Sequence, residues 1–160
     1  KIALDLKINK KVIEKTIPKI IFEGRFQYLR SGKIKNKLNV NEKIMIDGAH
    51  AEVDAKNLSD YLKSIKIPRY GIWAMMKNKE PDLFIKQFKN IFKKIITIPI
   101  ENEKGTLNNN KLYQIALKNN ITVNKANNFN EALKKISSKE KKLIVCFGSL
   151  YNAGNILNKN

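Results

Sequence analysis

Short apolar runs, most of them rich in isoleucine, recur along this chain, and each is followed by a segment whose apolar residues return at helical spacing. A strand buried on both faces reads as a continuous apolar run, and the helix that covers it reads as i, i+3, i+4. The runs are Lys43 to Asp47, Tyr70 to Met75, Ile95 to Ile100, Ile121 to Val123 and Leu143 to Phe147. Between them stand Leu58, Tyr61, Leu62 and Ile65; then Phe84, Ile85, Phe88, Ile91 and Phe92 behind Pro81; then Leu112, Ile115 and Ala116; then Phe129, Leu133 and Ile136. A last helix is expected over Leu150 to Leu157, and a further strand over Phe26 to Leu29. Five βα units in succession predict an α/β domain, a doubly wound and mostly parallel sheet with helices on both faces. Ligands of such sheets lie outside the carboxyl ends of the strands. That rule selects four loops: Asp47 to His50, Met75 to Lys79, Glu101 to Thr106 and Gly148 to Tyr151.

Ahead of this pattern, Asn9 is placed to cap a helix carrying Val12, Ile13 and Ile17, which ends before Pro18. Pro18 to Gly24 reads as a linker. The expected division is therefore a terminal helix and linker over 1–23 and a domain over 24–160.

Composition removes several classes. Cys146 is the only cysteine and His50 the only histidine among 160 residues, so an internal disulfide, a cysteine zinc site and a His-rich metal site are excluded. No apolar run approaches the roughly 20 residues of a membrane-spanning helix. The net charge of +18 suggests nucleic acid, but of 32 basic residues only Arg25, Arg30 and Arg69 are arginine. With 23 isoleucines and 21 asparagines beside them, the lysines follow AT-rich coding and read as a solvated coat. No nucleic acid and no membrane are expected as partners. The same charge suits anionic substrates such as nucleotides or polyglutamates.

Two loops carry candidate chemistry. Asp47-Gly48-Ala49-His50 follows a buried strand and precedes a helix, where a carboxylate and an imidazole can meet a nucleotide. Read locally, Asp47 caps its loop and His50 starts a helix. Gly148-Ser149 opens a helix whose first N–H groups can hold an anion; read locally, Ser149 is an N-cap. Lys79 stands at a strand end and can face a substrate anion, while Cys146, Trp73, Met75 and Met76 read as packing. No phosphate-binding P-loop, dinucleotide glycine fingerprint, acid pair or Ser-His-Asp order occurs. The chain by itself cannot hydrolyse ATP by the P-loop route.

Taken in order, Gly24-Arg25-Phe26-Gln27, Ile46-Asp47-Gly48-Ala49-His50, Gly71 to Glu80 and Phe147-Gly148-Ser149-Leu150-Tyr151-Asn152-Ala153-Gly154 resemble the C-terminal domain of folylpolyglutamate synthase and dihydrofolate synthase, in the Mur ligase superfamily. Lys1 to Glu23 resembles the last helix of that family's central ATPase domain. The resemblance implies a Rossmann-like fold and a cytoplasmic, monomeric, ATP- and Mg2+-dependent ligase that joins L-glutamate to folate or dihydropteroate through an acyl phosphate. It implies that the partner is the central ATPase domain of the same parent chain, which holds the P-loop and the metal, and that the 160 residues alone are inactive. By motif, Arg25, Asp47 and His50 would bind ATP; Ser149, Lys104 and Lys79 would bind glutamate or substrate; no metal ligand falls in this domain, and Pro18 to Arg25 would be a hinge. Ala51-Glu52 replaces the family's usual Asn-Pro, and Asn102-Glu103-Lys104 its Asn-Pro-Arg. Read from the residues alone, an amino-acid-adding ligase of peptidoglycan synthesis and a basic nucleic-acid module remain alternatives.

Overall fold

The computed structural model of the chain describes residues 9–17 and 22–160. Six helices, α1 (Lys10–Thr16), α2 (Glu52–Lys63), α3 (Pro81–Lys86), α4 (Asn109–Lys118), α5 (Phe129–Ile136) and α6 (Leu150–Asn158), accompany six strands: β1 (Gln27–Tyr28), β2 (Glu42–Ile46), β3 (Arg69–Trp73), β4 (Lys94–Thr97), β5 (Val123–Lys125) and β6 (Lys142–Phe147). The strands form one sheet in the order β1-β2-β6-β3-β4-β5, in which only β1 is antiparallel. The expected α/β architecture is thus the observed one.

Period-two alternation divides the sheet into two faces. Met45, Trp73, Ile95, Leu143, Val145 and Phe147 pack beneath α2, α3 and α4, with Leu58, Leu62, Phe84 and Leu112 in the same cluster. Ile44, Ile46, Ile72, Ile96, Ile144 and Cys146 pack beneath α5 and α6, through Phe129, Leu133 and Ile156. The neighbours β2 and β6 therefore send their following helices to opposite faces. Their carboxyl ends form the topological switch point, where a crevice opens. Burial also pushes the Cys146 thiol pKa up, in keeping with a core role.

Asparagine and serine supply the helix starts. Side chains of Asn9, Asn108, Asn128 and Ser149 accept backbone N–H groups of α1, α4, α5 and α6. Among the expected elements, the terminal helix forms from Asn9, while residues 18–21 of the expected linker lie outside the described residues. Several boundaries differ from expectation, β1, β2 and β3 by one or two residues, and three others for identifiable reasons. α3 stops at Lys86 instead of running to Phe92, because from Gln87 onward the N–H groups bond back three residues instead of four, before Asn90 turns the chain at φ 63°; Phe88, Ile91 and Phe92 still pack on the same core. β4 ends at Thr97, and the Ile98 N–H on the Trp73 carbonyl is its last rung to β3. β5 begins at Val123, since the Ile121 N–H closes the end of α4 on Ala116.

Candidate functional site

The crevice between β2 and β6 is built from two glycine turns. Gly148 follows β6 with φ 103°, and a Cβ there would stand 2.3 Å from the Ala74 carbonyl oxygen and 2.5 Å from Cδ1 of buried Trp73. Only glycine lets the strand turn this tightly into α6. Gly148→Ala is expected to lower the unfolding free energy by about 2 kcal/mol, from overpacking and left-handed strain together; urea denaturation measures it, and an unchanged midpoint would contradict the crowding. Across the crevice, a Cβ on Gly48 would meet Leu150 Cδ2 at 2.2 Å, so the Asp47–His50 loop packs against the exposed Leu150 side chain of α6, which would have to turn aside for any larger residue.

These turns bring side chains of three loops to one cleft of about 190 Å³, among whose lining residues are His50, Asn78, Lys79, Ser149 and Tyr151. His50 Nδ1 lies 2.7 Å from the Gly48 carbonyl oxygen. A carbonyl can only accept, so Nδ1 carries the proton and Nε2 is left for a ligand. Ser149 is buried and caps α6, with its Oγ 3.4 Å from the Asn152 N–H. A helix start of this kind leaves its first N–H groups without intrahelical partners, and such groups can receive an anion.

Behind the loop lies a second group. Asp47 is 2% exposed, and both its oxygens are engaged: Oδ2 accepts the Phe26 N–H at 2.9 Å and Oδ1 the Ala49 N–H at 2.7 Å. Burial raises its carboxyl pKa above the usual 3.8, against the pull of those two N–H groups and of Arg25. The Asp47 carboxylate thus fastens the Gly24–Phe26 turn, in which Gly24 has φ 72° and Phe26 φ 45°, to the end of β2. The Gly48 N–H bonded to the Gly24 carbonyl at 2.6 Å is the second fastening. Arg25 stands 3.8 Å from Asp47 and 3.8 Å from Asp54, beyond hydrogen-bond length from both. Asp54 also accepts the backbone N–H of His50 at 3.3 Å, with the His50 Nδ1 at 3.9 Å, so it lies between the His50 turn and the guanidinium.

Of the residues expected from sequence, Arg25, Asp47 and His50 gather around the Asp47–His50 loop, and Lys79 and Ser149 share the cleft with His50. Lys104 is exposed and is not among the cleft residues. Its loop is clipped to the Met76 loop by Lys77 N–H on the Gly105 carbonyl and Leu107 N–H on Met75. Sequence reasoning missed Asp54, whose i+4 spacing from His50 was its only local signal; Asn78 and Tyr151 lie in two of the loops selected by the strand-end rule but were not singled out as site residues. No cluster of three metal-ligating side chains occurs among the described residues, and no helix among them is long and apolar enough to cross a membrane.

Residues 30–159 match the family model described as dihydrofolate synthetase, C-terminal domain. Solved structures of similar fold include the folylpolyglutamate synthase of Mycobacterium tuberculosis complexed with ADP, with TM-score 0.77 and 17% identity over 95% of this chain and 35% of that one. Another is the bifunctional folylpolyglutamate synthase/dihydrofolate synthase of Yersinia pestis complexed with AMPPNP and a manganese ion, with TM-score 0.76 and 13% identity over 96% of this chain and 35% of that one. A third is the folylpolyglutamate synthase of Thermotoga maritima, with TM-score 0.69 and 22% identity over 96% and 34%. The chain spans about a third of the length of these proteins. At such identities the likeness establishes the fold. None of the curated protein sequences matches this chain.

Proposed function

This chain belongs to the dihydrofolate synthetase C-terminal domain family, and from that premise we propose that it is the closing domain of an ATP-dependent ligase that adds L-glutamate to a folate or dihydropteroate. The observation that carries this reading is the convergence of His50, Lys79 and Ser149 on one cleft at the sheet's switch point, while Arg25 lines a separate hollow with Asp47 and Asp54 on the other side of the Asp47–His50 loop. In such a ligase the pterin substrate's carboxylate is activated as an acyl phosphate at the expense of ATP, and the amine of glutamate displaces the phosphate. Residues 1–23 are assigned to the ATPase domain and 24–160 to this domain, with the P-loop and magnesium on the ATPase side.

The residues present suit a nucleotide phosphate and an amino acid. Arg25 makes no hydrogen bond through its guanidinium among the described residues, so its planar fork is available to an anion. His50 presents Nε2 to the cleft and is assigned to the nucleotide. Asp47 acts through Arg25 by fixing its turn, and is a positioning residue. Ser149 and the start of α6 hold a carboxylate of glutamate, Lys79 adds a counter-charge from the β3 loop, and Lys104 reaches the substrate from the rim when the domains meet.

Arg25 beside Gly24 can complete the phosphate site only on closure, so it acts late on the reaction path. In a full-length synthase carrying this domain, Arg25→Lys is expected to lower kcat about tenfold while changing the KM for ATP much less, since lysine keeps charge but loses the bidentate fork. Steady-state kinetics measures both, with the 160-residue chain alone as the silent control. A rise in KM at unchanged kcat would count against the closure role, and turnover by the isolated chain against the division of labour.

A further inference from the structure

The edge of the sheet farthest from β5 carries charge that, Arg25 aside, the proposed ligase site does not use. From residue 24 to residue 51 there are six cations, Arg25, Arg30, Lys33, Lys35, Lys37 and Lys43, and two carboxylates, Glu42 and Asp47. Both carboxylates are buried and hydrogen-bonded to backbone N–H groups. The exposed surface of this stretch is therefore cationic throughout. Elsewhere acids are interspersed with the lysines and some pair with them: Lys63 with Asp60, Lys93 with Glu140, Lys135 with Glu131, Lys159 with Glu101. Arg30 and Lys43 have no carboxylate partner among the described residues.

The arginines sharpen the point. In a chain so rich in lysine each arginine is informative. Arg69 is internal, donating to the carbonyls of Ile91, Leu62 and Ile65. The other two, Arg25 and Arg30, flank β1 at its two ends. Beside Arg30 opens a groove of about 410 Å³ lined by Tyr28, Leu29, Arg30, Lys35 and Lys43. The Tyr28 hydroxyl is held at 3.0 Å by that of Tyr61, which fixes the ring as a wall.

We propose that this groove is a second anion site, which takes an extended oligocarboxylate; on the ligase reading above, on which this assignment rests, the occupant is the γ-glutamyl tail of a folate already lengthened. Each γ-linked glutamate leaves its α-carboxylate free, so such a tail presents charges at intervals along an aliphatic chain. Arg30, Lys35 and Lys43 meet the charges, and Tyr28 and Leu29 meet the methylenes. A single fixed tyrosine offers no platform for successive stacked bases, which argues against a single-stranded nucleic acid.

The test uses the 160-residue chain at physiological salt, titrated with γ-linked pentaglutamate by calorimetry and by the NMR signals of Tyr28. The expected result is saturable binding with Tyr28 perturbed, weakened about tenfold by the double substitution Arg30→Gln with Lys43→Gln, the loss of two charge-assisted contacts. The charge-matched pair Lys118→Gln with Lys134→Gln, exposed on α4 and α5, is expected to change it less than about twofold. Equal losses from both pairs would show a diffuse lysine coat and overturn the site, as would an unperturbed Tyr28. Displacement of pentaglutamate from Tyr28 by a short single-stranded oligonucleotide at lower concentration would overturn it in favour of nucleic acid. Loss of the ligase reading is separable: a full-length synthase that lengthens no folate, beside a chain that still takes pentaglutamate at Tyr28, would keep the site and remove only the folate from its occupant.

Discussion

Replacing Glu42 with alanine is expected to destabilise the domain by about 3–5 kcal/mol, the cost of leaving a buried charge without its partner. Glu42 opens β2, and its Cα partner across the ladder is Lys142, which opens β6. Glu42 is 0% and Lys142 1% exposed, and their charged atoms are 3.6 Å apart. Lys142 also donates to the Ile136 carbonyl at 2.8 Å and to Ser138 Oγ, with the Tyr70 ring 4.9 Å from its ammonium. Burial alone would raise the Glu42 carboxyl pKa; the N–H groups of Ser138 and Asn39 and the side chains of Ser137 and Asn39 reverse this and hold it below the usual 4.5. A depressed native pKa adds stability that is full above the unfolded value and disappears as pH falls through the native one. Wild type is therefore expected to lose ground to Glu42→Gln as pH drops below about 4.5, read as converging urea midpoints. Asp47, whose carboxyl is raised, contributes the opposite slope, and comparing the two proteins at each pH isolates Glu42. Parallel midpoints would mean that the cluster is solvated.

Sequence periodicity foresaw the strands and helices where one physical signal governs them. Ile44 and Ile46 alternate with Met45, Leu58 and Leu62 share a helix face, and burial of both decides the fold. It erred where single residues decide. The end of α3 comes where its N–H groups switch to partners three residues back, ahead of a left-handed Asn90, which nothing in the run of phenylalanines and isoleucines announces. Nothing in the sequence singles out Glu42 and Lys142, because only the register of β2 on β6 brings them together inside. The cleft was legible through topology: once β2 and β6 are neighbours whose helices diverge, His50 and Ser149 must meet at their carboxyl ends. Asp54 was not, since its contact with Arg25 crosses from α2 to the chain before β1 and no spacing encodes it.

Asp47 joins the two levels, because one carboxylate serves both stability and the site. Asp47→Ala removes the acceptor of two N–H groups, those of Phe26 and Ala49, beneath a loop that excludes water. Each donor left unpaired costs about 1–3 kcal/mol, so a loss of about 2–5 kcal/mol is expected by urea denaturation. Asp47→Asn keeps one oxygen acceptor and is expected to lose about half as much. Alone, that would make Asp47 a loop cap. The functional role separates through Arg25: in the Asn variant, at temperatures where the fold is intact, the Gly24–Phe26 turn loses one of its two fastenings while the Gly48 N–H on Gly24 remains. Phe26, an aromatic residue at φ 45°, then has reason to relax to negative φ, and Arg25 moves with it. In a full-length synthase, kcat is expected to fall about tenfold in Asp47→Asn, and Asp47→Asn combined with Arg25→Lys is expected to be little worse than either alone. Full additivity of the two substitutions would show that Asp47 acts independently of Arg25, and would return it to the cap of its own loop.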